Sequence, residues 1–216
     1  MGIMADPLLT RWSELLRRCR QDTAPDPTPF GEELLARWSE PQRHYHTTRH
    51  LAAVLDRVDE LADHCGSPDT VRLAAWFHDA VYRPDRSENE ERSARLAERA
   101  LPEAGVDPAR TAEAARLVRL TVRHDPAPGD REGEVLCDAD LAVLAGPPEA
   151  YATYAAAVRQ EYGFVPDAEF REGRAAVLRD LLALPRLFRT PAGHGRWESI
   201  ARRNVLTELE LLGSQE

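Results

Sequence analysis

The adjacent pair His78-Asp79 is the first feature of this 216-residue chain that suggests chemistry. It ends an apolar run, Leu73-Ala74-Ala75-Trp76-Phe77, so a carboxylate stands where burial is costly without an opposite charge. Neighbouring helical residues point about 100° apart, and both side chains reach a common point only close to the helix surface between them. A divalent metal ion meets that requirement, because neutral imidazole and carboxylate are both good ligands for borderline divalent cations. The plainer reading is an aspartate that caps a helix beside a core histidine.

Two other segments carry residues of the same types. Leu51, Val54, Leu55, Val58 and Leu61 define the inner face of a helix, and His50 falls on it beside Val54 and Leu61. His46 occupies the same face one turn earlier. A single inward histidine is ordinarily a hydrogen-bonded core residue, so position alone does not make His50 a ligand. Between Val135 and Leu144, helical phase separates two aspartates: the apolar direction lies about 25° from Asp140 and nearly opposite Asp138. Asp140 is therefore expected to be buried, and Asp138 to support the site from outside or to start the helix. His124 shares an inward face with Leu117, Leu120 and Thr121 at the end of its helix, where a substrate can reach it.

These residues need elements to position them. Apolar residues recur at helical spacing through most of the chain and period-2 alternation is nearly absent, which predicts an all-α bundle of about nine to ten helices in a single domain. The helices are expected at 7–20, 29–39, 47–65, 69–81, 88–101, 107–123, 132–145, 147–162, 167–183 and 196–212. Asp69, Asp107 and Asp167 look like helix starts, and 190–195, which contains His194, like an exposed turn. No repeat or low-complexity linker divides the chain.

Composition excludes several function classes. The 28 basic residues are all arginine, which removes Schiff-base chemistry, pyridoxal attachment and a Walker-type phosphate lysine. A net charge of -9 argues against binding an extended nucleic acid. No stretch approaches a membrane span and Met1 to Arg20 lacks the apolar run of a signal peptide, so a cytoplasmic location is expected. Cys19, Cys65 and Cys137 are far apart and form no CxxC pair. Such a chain is expected to be a monomer or a homodimer, the alanine-rich segment Tyr151 to Val158 being one face a second copy could meet.

The order His, His-Asp, distant Asp resembles the HD-domain superfamily of metal-dependent phosphohydrolases. Tyr45-His46-Thr47-Thr48-Arg49-His50, Ala75-Trp76-Phe77-His78-Asp79-Ala80-Val81-Tyr82 and Asn89-Glu90-Glu91-Arg92-Ser93-Ala94 look like a bacterial subgroup of predicted phosphohydrolases. Arg159-Gln160-Glu161-Tyr162 and Ala201-Arg202-Arg203-Asn204 look like its later blocks, so the likeness runs from about Arg43 to Glu208. The resemblance implies that His50, His78, Asp79 and Asp140 bind one divalent ion, Mn, Fe, Co, Ni, Zn or Mg. It implies hydrolysis of a nucleotide or other small phosphoester by metal-activated water, without naming the substrate.

Deprotonating that water needs a nearby carboxylate or imidazole; Glu90, one loop beyond the His-Asp helix, is the candidate, with Asp79 as the alternative. Without lysine, arginine must grip the phosphate, and Arg49, Arg159, Arg174 and Arg202 are candidates, with His46 and His124 as further substrate contacts. Two rivals stand beside the hydrolase. One is an HD-type di-iron oxygenase, which the single histidine between the doublet and Asp140 disfavours. The other is a non-catalytic helical binding protein that keeps a metal for stability.

Overall fold

The computed structural model describes residues 6–20 and 24–214. Among them the chain forms ten α-helices, in order α1 (Pro7–Cys19), α2 (Thr28–Trp38), α3 (Thr48–Leu61), α4 (Pro68–Phe77), α5 (Asn89–Glu103), α6 (Pro108–Leu120), α7 (Arg131–Leu141), α8 (Pro148–Glu161), α9 (Asp167–Ala183) and α10 (Pro191–Gly213). No strand is present among the described residues, so the all-α expectation holds. No helix is long and apolar enough to cross a membrane.

Local signals explain most of the helix starts. Proline opens α1, α4, α6, α8 and α10, where its missing N–H would have had no helical partner. Asp6, Asp107, Asp130 and Thr190 cap their helices by accepting backbone N–H groups. Asp69 lies one residue inside α4, where it binds Arg18 and Arg72. Asp167 is the first residue of α9.

Helix ends differ from expectation in ways that matter. The last turns expected of α3 and α7 tighten into 3₁₀ turns at Ala62–His64 and Ala142–Ala145. α4 stops at Phe77 and α6 at Leu120, so Asp79 and His124 lie on irregular backbone rather than on helices. In the other direction, α10 begins five residues early. The stretch 190–195 is its first turn, because Thr190 Oγ1 accepts the Gly193 N–H at 2.9 Å, and His194 is half-exposed on that helix.

α4 is the centre of the bundle. It packs against α1, α3, α5, α6 and α7, and every residue from Leu73 to Phe77 is buried. Around it lies a large apolar core built from α1 to α7, with Trp12 and Trp76 edge to face at 5.2 Å. A second, smaller core joins Leu141, Leu144, Tyr151, Leu178, Phe188 and Val205. Trp197 packs against both cores and α7 runs between them. Removing water from such side chains stabilises by about 1.5–3 kcal/mol each, which fixes the helices that carry the polar site at this seam.

Candidate metal centre and its cleft

His50 reaches the seam from α3, as its phase requires, and is buried among Trp38, Tyr45 and His78. His78 caps the end of α4 and is 1% exposed, which leaves it no solvent to satisfy its ring. Its Nδ1 instead donates to the Ala75 carbonyl at 2.7 Å. That bond fixes the ring so that Nε2 points away from the helix and into the site.

The polar atoms converge. His50 Nε2 lies 3.3 Å from His78 Nε2 and 3.0 Å from Asp140 Oδ1; His78 Nε2 lies 3.5 Å from the same oxygen. One atom from each of these three residues falls within 4.8 Å of the others, an arrangement that can hold a metal ion. Asp79 Oδ2 stands 3.2 Å from His78 Nε2 and 3.9 Å from His50 Nε2.

Burial pushes His50 down, toward the neutral ring that a ligand needs. Burial acts the same way on His78, but the charges of Asp79 and Asp140 outweigh it and hold His78 well above the usual histidine value. The two carboxyls are held low in turn: burial opposes ionisation, and His78 overrides it in both. A positive charge is thus required between two imidazole nitrogens and two carboxylates. A divalent ion is one such charge, and His50, His78 and Asp140 are the three residues whose donor atoms lie close enough together to hold it.

A surrounding layer orients these residues. His124 donates from Nε2 to Asp140 Oδ2 at 2.7 Å, which directs the other oxygen at His50. To do so it takes a left-handed backbone, φ 50°, unusual for a side chain other than glycine. Arg43 is buried between the rings of Trp38 and Tyr82 and donates to the carbonyls of His46, Asp79 and Ala80. It ties the loop before α3 to the end of α4.

Glu161 stands in the Arg159–Tyr162 block of the sequence, but nothing there assigned it a role. This buried carboxylate on α8 accepts the backbone N–H groups of His44, Tyr45 and His46 at 2.8–2.9 Å on one oxygen. On the other it accepts His46 Nδ1 at 2.7 Å and the Tyr82 hydroxyl at 2.9 Å. Burial would raise its carboxyl, yet the bonds from His46 bring it down to about 2. The available signal was its spacing of three from Val158 on the buried face of α8.

Compared with protein-family models, curated proteins and solved structures, the chain matches none.

A cleft of about 870 Å³ opens beside the cluster, with Asp140, His46, His124 and Glu90 on its wall. Glu90 is half-buried there; burial raises its carboxyl and the nearby charge of Asp79 adds to the effect. Arg174 also lines the cleft, bound to Glu208 and to the Tyr154 hydroxyl. The other candidate arginines, Arg49, Arg159 and Arg202, do not line it. Arg49 is exposed. Arg159 holds the Tyr162 and Val165 carbonyls and Asp167, while Arg202 holds Glu198 and the carbonyls of Leu182 and Leu184.

Asp138 departs from its expected place. It is fully buried, not outward, and accepts the N–H groups of Arg189 and Thr190 and the Thr190 hydroxyl. α7 has apolar neighbours on both sides, so the face opposite Asp140 is also interior. Burial pushes the Asp138 carboxyl up to about 6 despite these bonds. Gly193 is required beside it, because a Cβ there would collide with the Asp138 carboxylate.

Proposed function

We propose that the chain is a metal-dependent phosphohydrolase acting on a small phosphoester, with His50, His78, Asp79 and Asp140 as ligands to one divalent ion. The observation that carries this reading is the meeting of His50 Nε2, His78 Nε2 and Asp140 Oδ1 within one small volume on the edge of a ligand-sized cleft. When bound, such an ion polarises a phosphoryl oxygen and acidifies a coordinated water.

The chain's own residues supply the rest. Glu90, raised by burial, is a proton acceptor on the cleft wall. His124 and Ala75 fix the orientation of Asp140 and His78. Glu161 fixes His46, whose Nε2 lies 3.8 Å from Asp79 Oδ2 and is placed to contact substrate. The HD-type order of the four ligands supports the same reaction class.

The test is a phosphate-release screen over nucleotides and phosphoesters with several divalent ions, with Asp79→Ala as the blank. Turnover above that blank with one exchangeable ion per chain supports the hydrolase. Two irons per chain with oxygen consumption would support the oxygenase instead, and metal binding without turnover the binding protein.

A further inference from the structure

The cleft beside the cluster has an uneven lining that restricts what it can hold. Its permanent cations are few: Arg123, which is exposed, and Arg174, beside the two titratable rings of His46 and His124. The Arg174 charge is already answered by Glu208, with Nε and Nη2 at 2.8 and 3.0 Å from the two carboxylate oxygens, and Nη2 also donates to Tyr154. Only its Nη1 lacks a partner among the described residues. Against these stand Glu90, Glu169 and Asp180, so carboxylates outnumber permanent cations even without counting Asp140. A chain of phosphates would meet repulsion along most of this surface, and the protein has no lysine to relieve it.

The rest of the wall is apolar. Val158, Tyr162, Phe170, Val177 and Leu181 from α8, α9 and the turn between them line one side. Val177 is 53% exposed and Val122, also on the cleft, 60% exposed, although both are large apolar side chains. Apolar groups left uncovered around a polar centre mark a surface that a ligand covers.

We infer that the ligand of this cleft is a phosphomonoester with a single phosphoryl group on an apolar, ring-sized body, and not a polyphosphate. The inference rests on the hydrolase reading for the end of the ligand that meets the metal cluster. The body then packs along Tyr162, Phe170, Val177 and Leu181, while the phosphoryl group takes the cluster and the free Nη1 of Arg174.

Binding to the manganese-loaded full chain tests this without relying on turnover, using 1-naphthylmethylphosphonate, methylphosphonate and imidodiphosphate in calorimetric titrations. The naphthyl compound should bind about tenfold or more tighter than either of the others, since only it buries apolar area. Val177→Asn, a neutral change of similar size at an exposed position, should remove most of that advantage while weakening methylphosphonate far less. Imidodiphosphate binding tightest, or a naphthyl compound no better than methylphosphonate, would overturn the inference. Phosphate release from 1-naphthyl phosphate is measured in parallel. Tight naphthyl binding without release supports the ligand class while overturning the hydrolase reading.

Discussion

Glu161 holds His46 by its Nδ1 at 2.7 Å, and with its other oxygen it gathers the three backbone N–H groups that lead into α3. One carboxylate therefore sets both the tautomer of a cleft histidine and the path of the loop that contains it. Its carboxyl sits near 2, against 4.5 for an unperturbed glutamate. A depressed carboxyl contributes stability that is present above the unfolded value and lost as pH falls through the folded one. The bonds that Glu161 accepts from the His46 ring and from the backbone N–H groups of the loop are together worth on the order of 3 kcal/mol at neutral pH. Urea unfolding of Glu161→Gln should show that loss at pH 7, with the gap to wild type closing between pH 4.5 and about 2. A gap independent of pH would mean that the loop, not the charge, dominates.

Metal affinity should depend on His78 and Asp140 more than folding does. Both side chains stand at the seam of two cores that pack without them. An ion that binds only the folded chain stabilises it by about 2.7 kcal/mol when its free concentration is a hundred times its Kd. Thermal melts with manganese or cobalt should therefore shift upward for wild type, reverse on chelation, and stay unchanged in His78→Ala and Asp140→Ala. An equal shift in both variants would place the ion elsewhere.

The two aspartates of α7 should separate cleanly. Asp138 accepts three donors from Arg189 and Thr190 at the entry to α10, two of them buried, whereas Asp140 faces the histidines. Asp138→Ala leaves those donors without partners and should cost on the order of 3 kcal/mol of stability, with metal affinity retained. Asp140→Ala should do the reverse. Denaturant midpoints and metal titrations on the two variants decide it, and loss of metal from the Asp138 variant would show that its burial serves the site.

The sequence made some of this legible and hid the rest for physical reasons. His50 could be placed because α3 has a strong apolar face, and periodicity needs such contrast between faces. α7 lacks that contrast, being interior on both sides, so phase turned Asp140 toward the histidines but reversed the burial: Asp138 is fully buried and Asp140 only partly. The partners of Glu161 are backbone groups 115 to 117 positions away, which no local pattern reports. Arg159 and Arg202 look like phosphate ligands by type alone, yet a guanidinium binds carbonyls as readily, and here both secure loop carbonyls. His124 was placed on the correct side of α6 by spacing, although a left-handed turn beyond the helix is what aims it.

Glu90 provides the sharpest test of the proposed reaction. It opens α5 immediately after Asn89, whose amide holds the loop carbonyls of Arg83 and Arg86 and whose oxygen accepts the Arg83 N–H. The residue is therefore fixed relative to the end of α4, on the cleft wall that also carries Asp140 and His124. Its carboxyl is raised by burial and by Asp79, which moves it toward the range where a carboxylate is an effective proton acceptor. Glu90→Gln keeps shape and removes basicity, so kcat should fall by about 10²–10⁴-fold while KM and metal affinity stay near wild type. The acid limb of the wild-type rate profile, where Glu90 takes up its proton, should flatten in the variant. An unchanged kcat would remove Glu90 from the reaction and leave Asp79 as the acceptor.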